Sequence, residues 1–131
     1  MKRILELSAI IEAPTGLALL AGPAIVVRLL LGVIISGACL TLGRVAGAGL
    51  FALGVGCWIA QFDAQSCAAR GLVSAMVLYN LGAVVTLGAA GIQSPPTGIA
   101  LWPAVILHVA MSVWCLTGLL RKPSKDVANP Q

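Results

Sequence analysis

The sequence predicts an all-α integral membrane protein, a four-helix bundle with one short interfacial or re-entrant helix after the first transmembrane helix. Of its 131 residues, 60% are hydrophobic and only 9% are charged, whereas a soluble domain averages about 25% charged residues. The mean hydropathy is +1.04. Because so few charges cannot coat a soluble domain, the composition excludes that class, as well as a disordered chain and a nucleic-acid-binding module.

Four apolar runs predict the transmembrane helices, since about 20 residues are needed to cross the hydrocarbon core of a bilayer. The predicted spans are residues 4–21, 36–60, 69–91 and 98–120. They form a single domain over residues 1–122. The polar tail at residues 123–131 is expected to be disordered and cytoplasmic.

A shorter apolar stretch follows the first span. Gly22-Pro23 ends that span because proline cannot continue the helical hydrogen-bond ladder without a kink. Residues 23–32 are too few to cross the membrane, and they include Arg28. We therefore expect a short interfacial or re-entrant helix here, with the Arg28 guanidinium at the level of the lipid phosphates.

The basic residues predict the orientation of the chain. If the chain crosses the membrane four times, one side receives six of the eight basic residues, namely Lys2, Arg3, Arg70, Arg121, Lys122 and Lys125. The positive-inside rule then places both termini and the middle loop in the cytoplasm. The net charge of +4 is thus a signal of topology and predicts the lipid bilayer, with no nucleic acid, as the partner.

Each predicted span contains a polar or ionisable residue away from its ends: Glu12, Arg44, Asn80 and His108, with Tyr79 beside Asn80. Such groups are costly in hydrocarbon, so we expect them to face the interior of the bundle. The preferred arrangement is a direct or water-bridged ion pair between Glu12 and Arg44. These five residues are the predicted intramembrane polar network.

This network has two interpretations. It either fixes the register of the helices, or it forms a site in which Glu12 accepts a proton or binds a ligand, Arg44 holds an anion and His108 relays protons. Ser8 shares a helix face with Glu12, and Ser112 shares one with His108. The sequence contains no hydrolase, zinc-protease or phosphate-loop motif, so we predict no catalytic residue, no metal and no cofactor.

Small residues recur in the second span, where Cys39, Gly43 and Gly47 are four residues apart. This spacing lets two helix backbones approach closely in lipid. The partner helix belongs either to the same bundle or to a second copy or another membrane protein. The four cysteines lack CxxC or CxxH spacing, which is typical of small packing residues.

Several motifs resemble those of small bacterial four-helix membrane proteins of the DoxX-like group. The motifs are Glu12-x-x-Thr15-Gly16, Pro23-x-x-x-x-Arg28-Leu29-Leu30-Leu31-Gly32, Gly43-Arg44-x-x-Gly47, Cys57-Trp58 and Tyr79-Asn80. The resemblance spans most of the chain and implies a multi-pass protein of the bacterial inner membrane. It implies no established activity and no catalytic residue.

Three functions are compatible with these features. The first is a non-enzymatic protein that acts through helix association, as an accessory subunit or small homo-oligomer, and the short loops favour it. The second is a transporter or channel for a proton, an ion or a small solute, working as a homo-oligomer through Glu12, Arg44 and His108. The third is a membrane enzyme that acts on a lipophilic substrate with Glu12, Tyr79 or His108 as acid–base groups.

Overall fold

The structure, a computed structural model, describes residues 1–94 and 96–121, and over these ranges it contains helices and no strand. The predicted all-helical class is confirmed for this part of the chain. The helices are α1 (Lys2–Ala21), α2 (Pro23–Leu31), α3 (Ala38–Ala60), α4 (Cys67–Gln93) and α5 (Leu101–Leu120), with a 3₁₀ turn at Gln61–Asp63. The predicted tail at residues 123–131 lies outside the described residues.

Four of the helices are long and apolar enough to cross a membrane, judged by length and composition: α1, α3 with the 3₁₀ turn, α4 and α5. Each covers one of the predicted spans, with its ends shifted by at most three residues. The earlier start of α4 has a local cause. The Ser66 hydroxyl accepts a hydrogen bond of 3.1 Å from the backbone N–H of Ala69, which satisfies one of the donors left open at a helix N-terminus.

The short helix α2 begins where α1 ends. Gly22 separates the two helices, and Pro23 occupies the first turn of α2, where its missing N–H costs no helical hydrogen bond. Gly32 ends α2 in the left-handed region with φ 73°, a conformation that glycine adopts without steric cost.

The C-terminal end of α2 is joined to the chain segment that leads into α5. The backbone N–H of Gly98 donates to the Leu30 carbonyl at 3.1 Å, and that of Ala100 donates to the Leu29 carbonyl at 2.9 Å. The α2 backbone lies directly against Gly98 and leaves no room there for a Cβ. We call this pair of hydrogen bonds the α2–α5 joint.

Helices α1 and α3 pack closely through glycines. A Cβ added at Gly47 would lie 2.6 Å from the Leu20 nitrogen, and one at Gly54 would lie 2.6 Å from the Ala13 nitrogen. Such contacts bring two backbones together, which is how helices associate in lipid. Gly43 packs against the ring of Pro23 at the start of α2. Gly43 and Gly47 of the predicted small-residue motif therefore pack inside the chain.

The bundle consists of two helix pairs. Helix α1 contacts mainly α3, and α4 contacts mainly α5, while the pairs contact each other less. They share one hydrophobic cluster at the end of the bundle that contains Met1, the 3₁₀ turn and Arg121, which we call the terminal end. This shared core consists of Ile4, Leu5, Ala9, Cys57, Ala69, Val73, Met76 and Cys115.

Towards the opposite end, the α2 end, burial occurs within each pair. Gly16 is buried against α3, and Leu101 is buried against Gly91 of α4. One or two turns from Glu12, Asn80 and His108 towards the α2 end, the same helix faces carry Leu19, Val84 and Ala104, which are only half-buried. Because the two pairs also contact each other little, we infer an opening between them at this end, which we call the α2-end crevice and define by Leu19, Val84 and Ala104.

Candidate functional site

Polar side chains meet where the shared core ends and the α2-end crevice begins. Glu12 of α1 is 3% exposed, and Asn80 of α4 is fully buried. Tyr79 and His108 are half-buried beside them. Four of the five residues of the predicted network thus lie at this depth, and three of them, Tyr79, Asn80 and His108, are in direct contact.

The hydrogen bonds of Asn80 determine the tautomer of His108. The Asn80 amide nitrogen donates to the Met76 carbonyl at 2.7 Å, so the amide oxygen is the atom that faces His108. That oxygen lies 2.7 Å from Nδ1 of His108 and can only accept, so Nδ1 is the protonated nitrogen and donates. The second ring nitrogen, Nε2, is left as a hydrogen-bond acceptor in the neutral ring.

Tyr79 and Glu12 complete the site. The Tyr79 ring meets the His108 ring edge to face, with centroids 5.6 Å apart and an interplanar angle of 82°. Glu12 is close enough to Tyr79, Cys57 and Cys115 to interact with them electrostatically. No hydrogen bond or ion pair links Glu12 to another residue of the described chain, so its carboxyl group retains its full capacity to bind.

The predicted ion pair between Glu12 and Arg44 is wrong as a direct contact. Arg44 is exposed, and within the described residues the ion pair that forms is Lys2–Glu6 at 3.7 Å. Two geometric causes separate the charges. Gly54 packs against Ala13, so Arg44 lies ten residues away in α3, or about 15 Å along the helix axis. Gly43 and Gly47 face the α1–α2 side, which turns the adjacent Arg44 outward.

Three further buried polar residues lie outside the predicted network. Ser8 is fully buried, Ser112 is 7% exposed and Gln61 is 5% exposed. The two hydroxyl oxygens have no hydrogen-bond partner among the described residues. Helical spacing does indicate the serines, since Ser8 precedes Glu12 by four residues and Ser112 follows His108 by four. No comparable signal marks Gln61.

The chemistry available at the site is that of proton acceptors and hydrogen-bonding groups. The described residues form no cluster of three His, Cys, Asp or Glu side chains that could hold a metal ion. Glu12 and Nε2 of His108 can each take up a proton or accept a hydrogen bond, and the Tyr79 hydroxyl can donate one. Arg44, the expected anion-binding residue, does not contribute.

Comparison with known proteins adds no relative. No family model matches the chain, and neither a curated protein nor a solved structure is significantly similar to it. The likeness to the DoxX-like group stays a resemblance of motifs.

Proposed function

We propose that this protein binds an amphipathic small molecule within the membrane, with the polar end of the molecule at Glu12, Tyr79 and His108 and its apolar part in the α2-end crevice. The observation that supports this is the position of the polar residues. They lie at the boundary between the shared core and the crevice, where a ligand from the bilayer reaches them without crossing a packed interior.

The chemistry of the site indicates the polar end of the ligand. Glu12 as a carboxylate and His108 through Nε2 both accept hydrogen bonds, so the site favours a group with O–H or N–H donors, such as a hydroxyl. An unpaired carboxyl group in an apolar interior is costly, and a donor from the ligand would offset that cost. Transport of a small solute and chemistry on a lipophilic substrate, both expected as alternatives, each begin with such a complex.

Mass spectrometry of co-purified compounds tests the proposal. The full chain is purified in a mild detergent and extracted with organic solvent, and the extract is compared with that of an unrelated membrane protein. We expect an amphipathic compound to be enriched with the wild-type protein and lost in Glu12→Gln and His108→Leu. Thr86→Val is the matched control, because Thr86 is an exposed residue of α4 whose hydroxyl bonds only to its own helix.

The comparison has two decisive outcomes. Enrichment that depends on Glu12 and His108, and that survives Thr86→Val, supports the binding site. A wild-type extract equal to that of the unrelated protein, or an extract unchanged by both site variants, overturns it.

Helix association remains a second candidate, supported by a different observation. Gly49 on α3 and Gly71 and Gly82 on α4 have open space beside them, so a helix of another protein or a second copy can approach these faces. Crosslinking of gently solubilised membranes tests this candidate. A dimer or complex that is lost in the double variant Gly71→Leu, Gly82→Leu supports this candidate. A strictly monomeric species contradicts it.

We also propose that the protein resides in a bacterial inner membrane with the terminal end in the cytoplasm. Lys2, Arg3, Arg70 and Arg121 belong to that end, whereas Arg28 and Arg44 belong to the α2 end. This excess of basic residues supports the orientation, and the motif resemblance supports the bacterial origin. Labelling of single cysteines introduced at Gln65 and Ser36 with an impermeant maleimide, in a variant without native cysteines, tests it. Labelling of Ser36→Cys alone from the outside is expected.

A further inference from the structure

The hydroxyl groups of Ser8 and Ser112 differ from the other hydroxyls in the helices because they are buried and have no hydrogen-bond partner. A serine or threonine inside a helix usually donates to a carbonyl of the preceding turn. That bond is formed by Thr15 to Ile11, Ser74 to Arg70, Thr86 to Gly82 and Thr117 to Trp114. Ser8 and Ser112 form no such bond, although both hydroxyls are buried. A buried hydroxyl without a partner is costly, so a hydrogen-bond partner outside their own helices would stabilise both groups.

A contact between the start of α1 and the end of α5 indicates the approximate depth of the two serines relative to Glu12. Ile4, near the start of α1, packs on Gly118, near the end of α5, so the two helices run in opposite directions. Counted from this contact towards the α2 end, Ser8, Ser112, Glu12 and His108 follow one another at intervals of about two residues. Each interval is about 3 Å along the axis.

Gln61 continues this series at the terminal end. The contact of Gly54 with Ala13 fixes the register of α3 on α1 and places Gln61 about two residues before Ser8, or about 3 Å along the axis. The Gln61 amide nitrogen donates to the Trp58 carbonyl at 2.8 Å, which leaves the amide oxygen as an acceptor. Gln61 follows the last residue of α3, and the next two residues, Phe62 and Asp63, are exposed at the terminal end.

We propose that Ser8 and Ser112, with water molecules between them and a water molecule held by the Gln61 amide oxygen, conduct protons from the terminal end of the bundle to Glu12. A proton from water at that end passes to a hydroxyl oxygen, while the hydroxyl releases its own proton to the next group. Each serine is unchanged after the transfer, and the Glu12 carboxylate gains one O–H bond. This inference rests on the proposed function in one respect, since the path supplies protons to the ligand site.

The groups around Glu12 are consistent with its role as the acceptor. The titratable side chains that approach it are Cys57 on α3, Tyr79 on α4 and Cys115 on α5, and His108 lies against Tyr79. Two thiols and a phenol are neutral under ordinary conditions, so no fixed charge opposes protonation of Glu12. His108, one step beyond Glu12 in the series, offers Nε2 as the next acceptor.

Infrared spectroscopy of the purified full chain tests the path. The carboxylic acid C=O band of Glu12 is assigned by its loss in Glu12→Gln, and its hydrogen–deuterium exchange is followed after transfer from H₂O to D₂O at a mildly acidic pH. We expect exchange at least about tenfold slower in the double variant Ser8→Ala, Ser112→Ala than in wild type. Ser8→Thr, Ser112→Thr retains both hydroxyls and is expected to restore exchange.

Two further variants define the outcomes. Ser74→Ala, Thr86→Ala removes two hydroxyls from exposed sites of α4 and should leave exchange unchanged. Exchange in the serine-to-alanine variant at the wild-type rate overturns the path, as does slow exchange that persists in the threonine variant. Because the extraction experiment measures ligand retention by the wild-type chain, the proposed function and the proton path can fail independently.

Discussion

Nδ1 of His108 donates a hydrogen bond of 2.7 Å to the side-chain oxygen of Asn80 and thereby ties α5 to α4 at the depth where the two helix pairs separate. The bond has two effects. It satisfies the fully buried Asn80, whose nitrogen is already bonded to the Met76 carbonyl. It also fixes the His108 tautomer, so that Nε2 is the nitrogen available to a ligand or a proton.

Replacement of Asn80 should destabilise the protein and change the hydrogen bonding of the His108 ring nitrogens. Asn80→Leu retains the approximate volume but leaves Nδ1 of His108 without its acceptor, and a buried group in that state costs about 1–3 kcal/mol. We expect a lower midpoint of unfolding in detergent and a change in the ¹⁵N chemical shifts of His108. Thr86→Val, on the exposed side of the same helix, should change neither quantity.

A double-mutant cycle separates the bond from the loss of the individual side chains. If Asn80 and His108 interact as described, the change in unfolding free energy of the double variant should differ by about 1 kcal/mol from the sum of the changes in Asn80→Leu and His108→Leu. Strict additivity would contradict the bond.

The sequence predicts the helices of this protein well and their mutual packing poorly, and the second span is an example. Long apolar runs identify membrane helices because the bilayer requires about 20 apolar residues. Both lipid and protein interior are apolar, however, so polarity does not distinguish the buried face of such a helix from its lipid face. Gly47 packs on α1 while Gly49 has open space, a difference that composition cannot reveal.

At the polar site, too, the sequence predicts some features well and others poorly. Glu12 and Asn80 are buried and His108 is half-buried, as the sequence leads one to expect for polar side chains in an apolar helix. Arg44 is the exception, since it lies near the start of α3 and is exposed. A long arginine side chain at such a position extends towards the membrane interface. Its separation from Glu12 depends on the register of α3 against α1, which only the glycine contacts reveal.

The difference between Gly47 and Gly49 gives a second prediction. A leucine at position 47 would meet the α1 backbone, since even a Cβ there would lie 2.6 Å from the Leu20 nitrogen. Overpacking of this kind costs about 1–3 kcal/mol and often more. Gly47→Leu should therefore lower the midpoint of unfolding in detergent, whereas Gly49→Leu, on the same helix with open space beside it, should leave it unchanged or raised. Equal effects of the two variants would rule out the close packing of α3 on α1 at Gly47.

Glu12 and Arg44 should act independently. Because Arg44 is exposed and is separated from Glu12 by about 15 Å along the helix axis, Arg44→Gln should leave ligand retention intact, whereas Glu12→Gln abolishes it. The changes in unfolding free energy of the two single variants, each relative to wild type, should sum to the change in the double variant within about 0.5 kcal/mol. A larger coupling would indicate that the two charges do interact.

The α2–α5 joint provides the last prediction, which concerns the α2 end of the crevice. Gly98→Ala introduces a Cβ into the space filled by the α2 backbone at Leu29, so the hydrogen bonds from Gly98 to Leu30 and from Ala100 to Leu29 cannot both persist. Each such bond contributes about 0.5–1.5 kcal/mol, and a loss of 1.4 kcal/mol corresponds to about a tenfold change in an equilibrium. We therefore expect the Ala100 amide to exchange with deuterium about tenfold faster, as measured by mass spectrometry of peptides from the quenched full chain.

Gly82→Ala is the matched control for the joint, because Gly82 has no atom within 4 Å of an added Cβ. It should leave the exchange of Ala100 unchanged, and alanine should slightly stabilise α4 because it is a better helix former than glycine. Since α2 also contacts α1 and α3, release of its C-terminal end should open the crevice without unfolding the bundle, and the slow exchange of the shared core should persist in Gly98→Ala. Slow exchange at Ala100 in Gly98→Ala would show that α2 does not depend on this joint, and loss of protection throughout the bundle would show that the joint holds the whole fold.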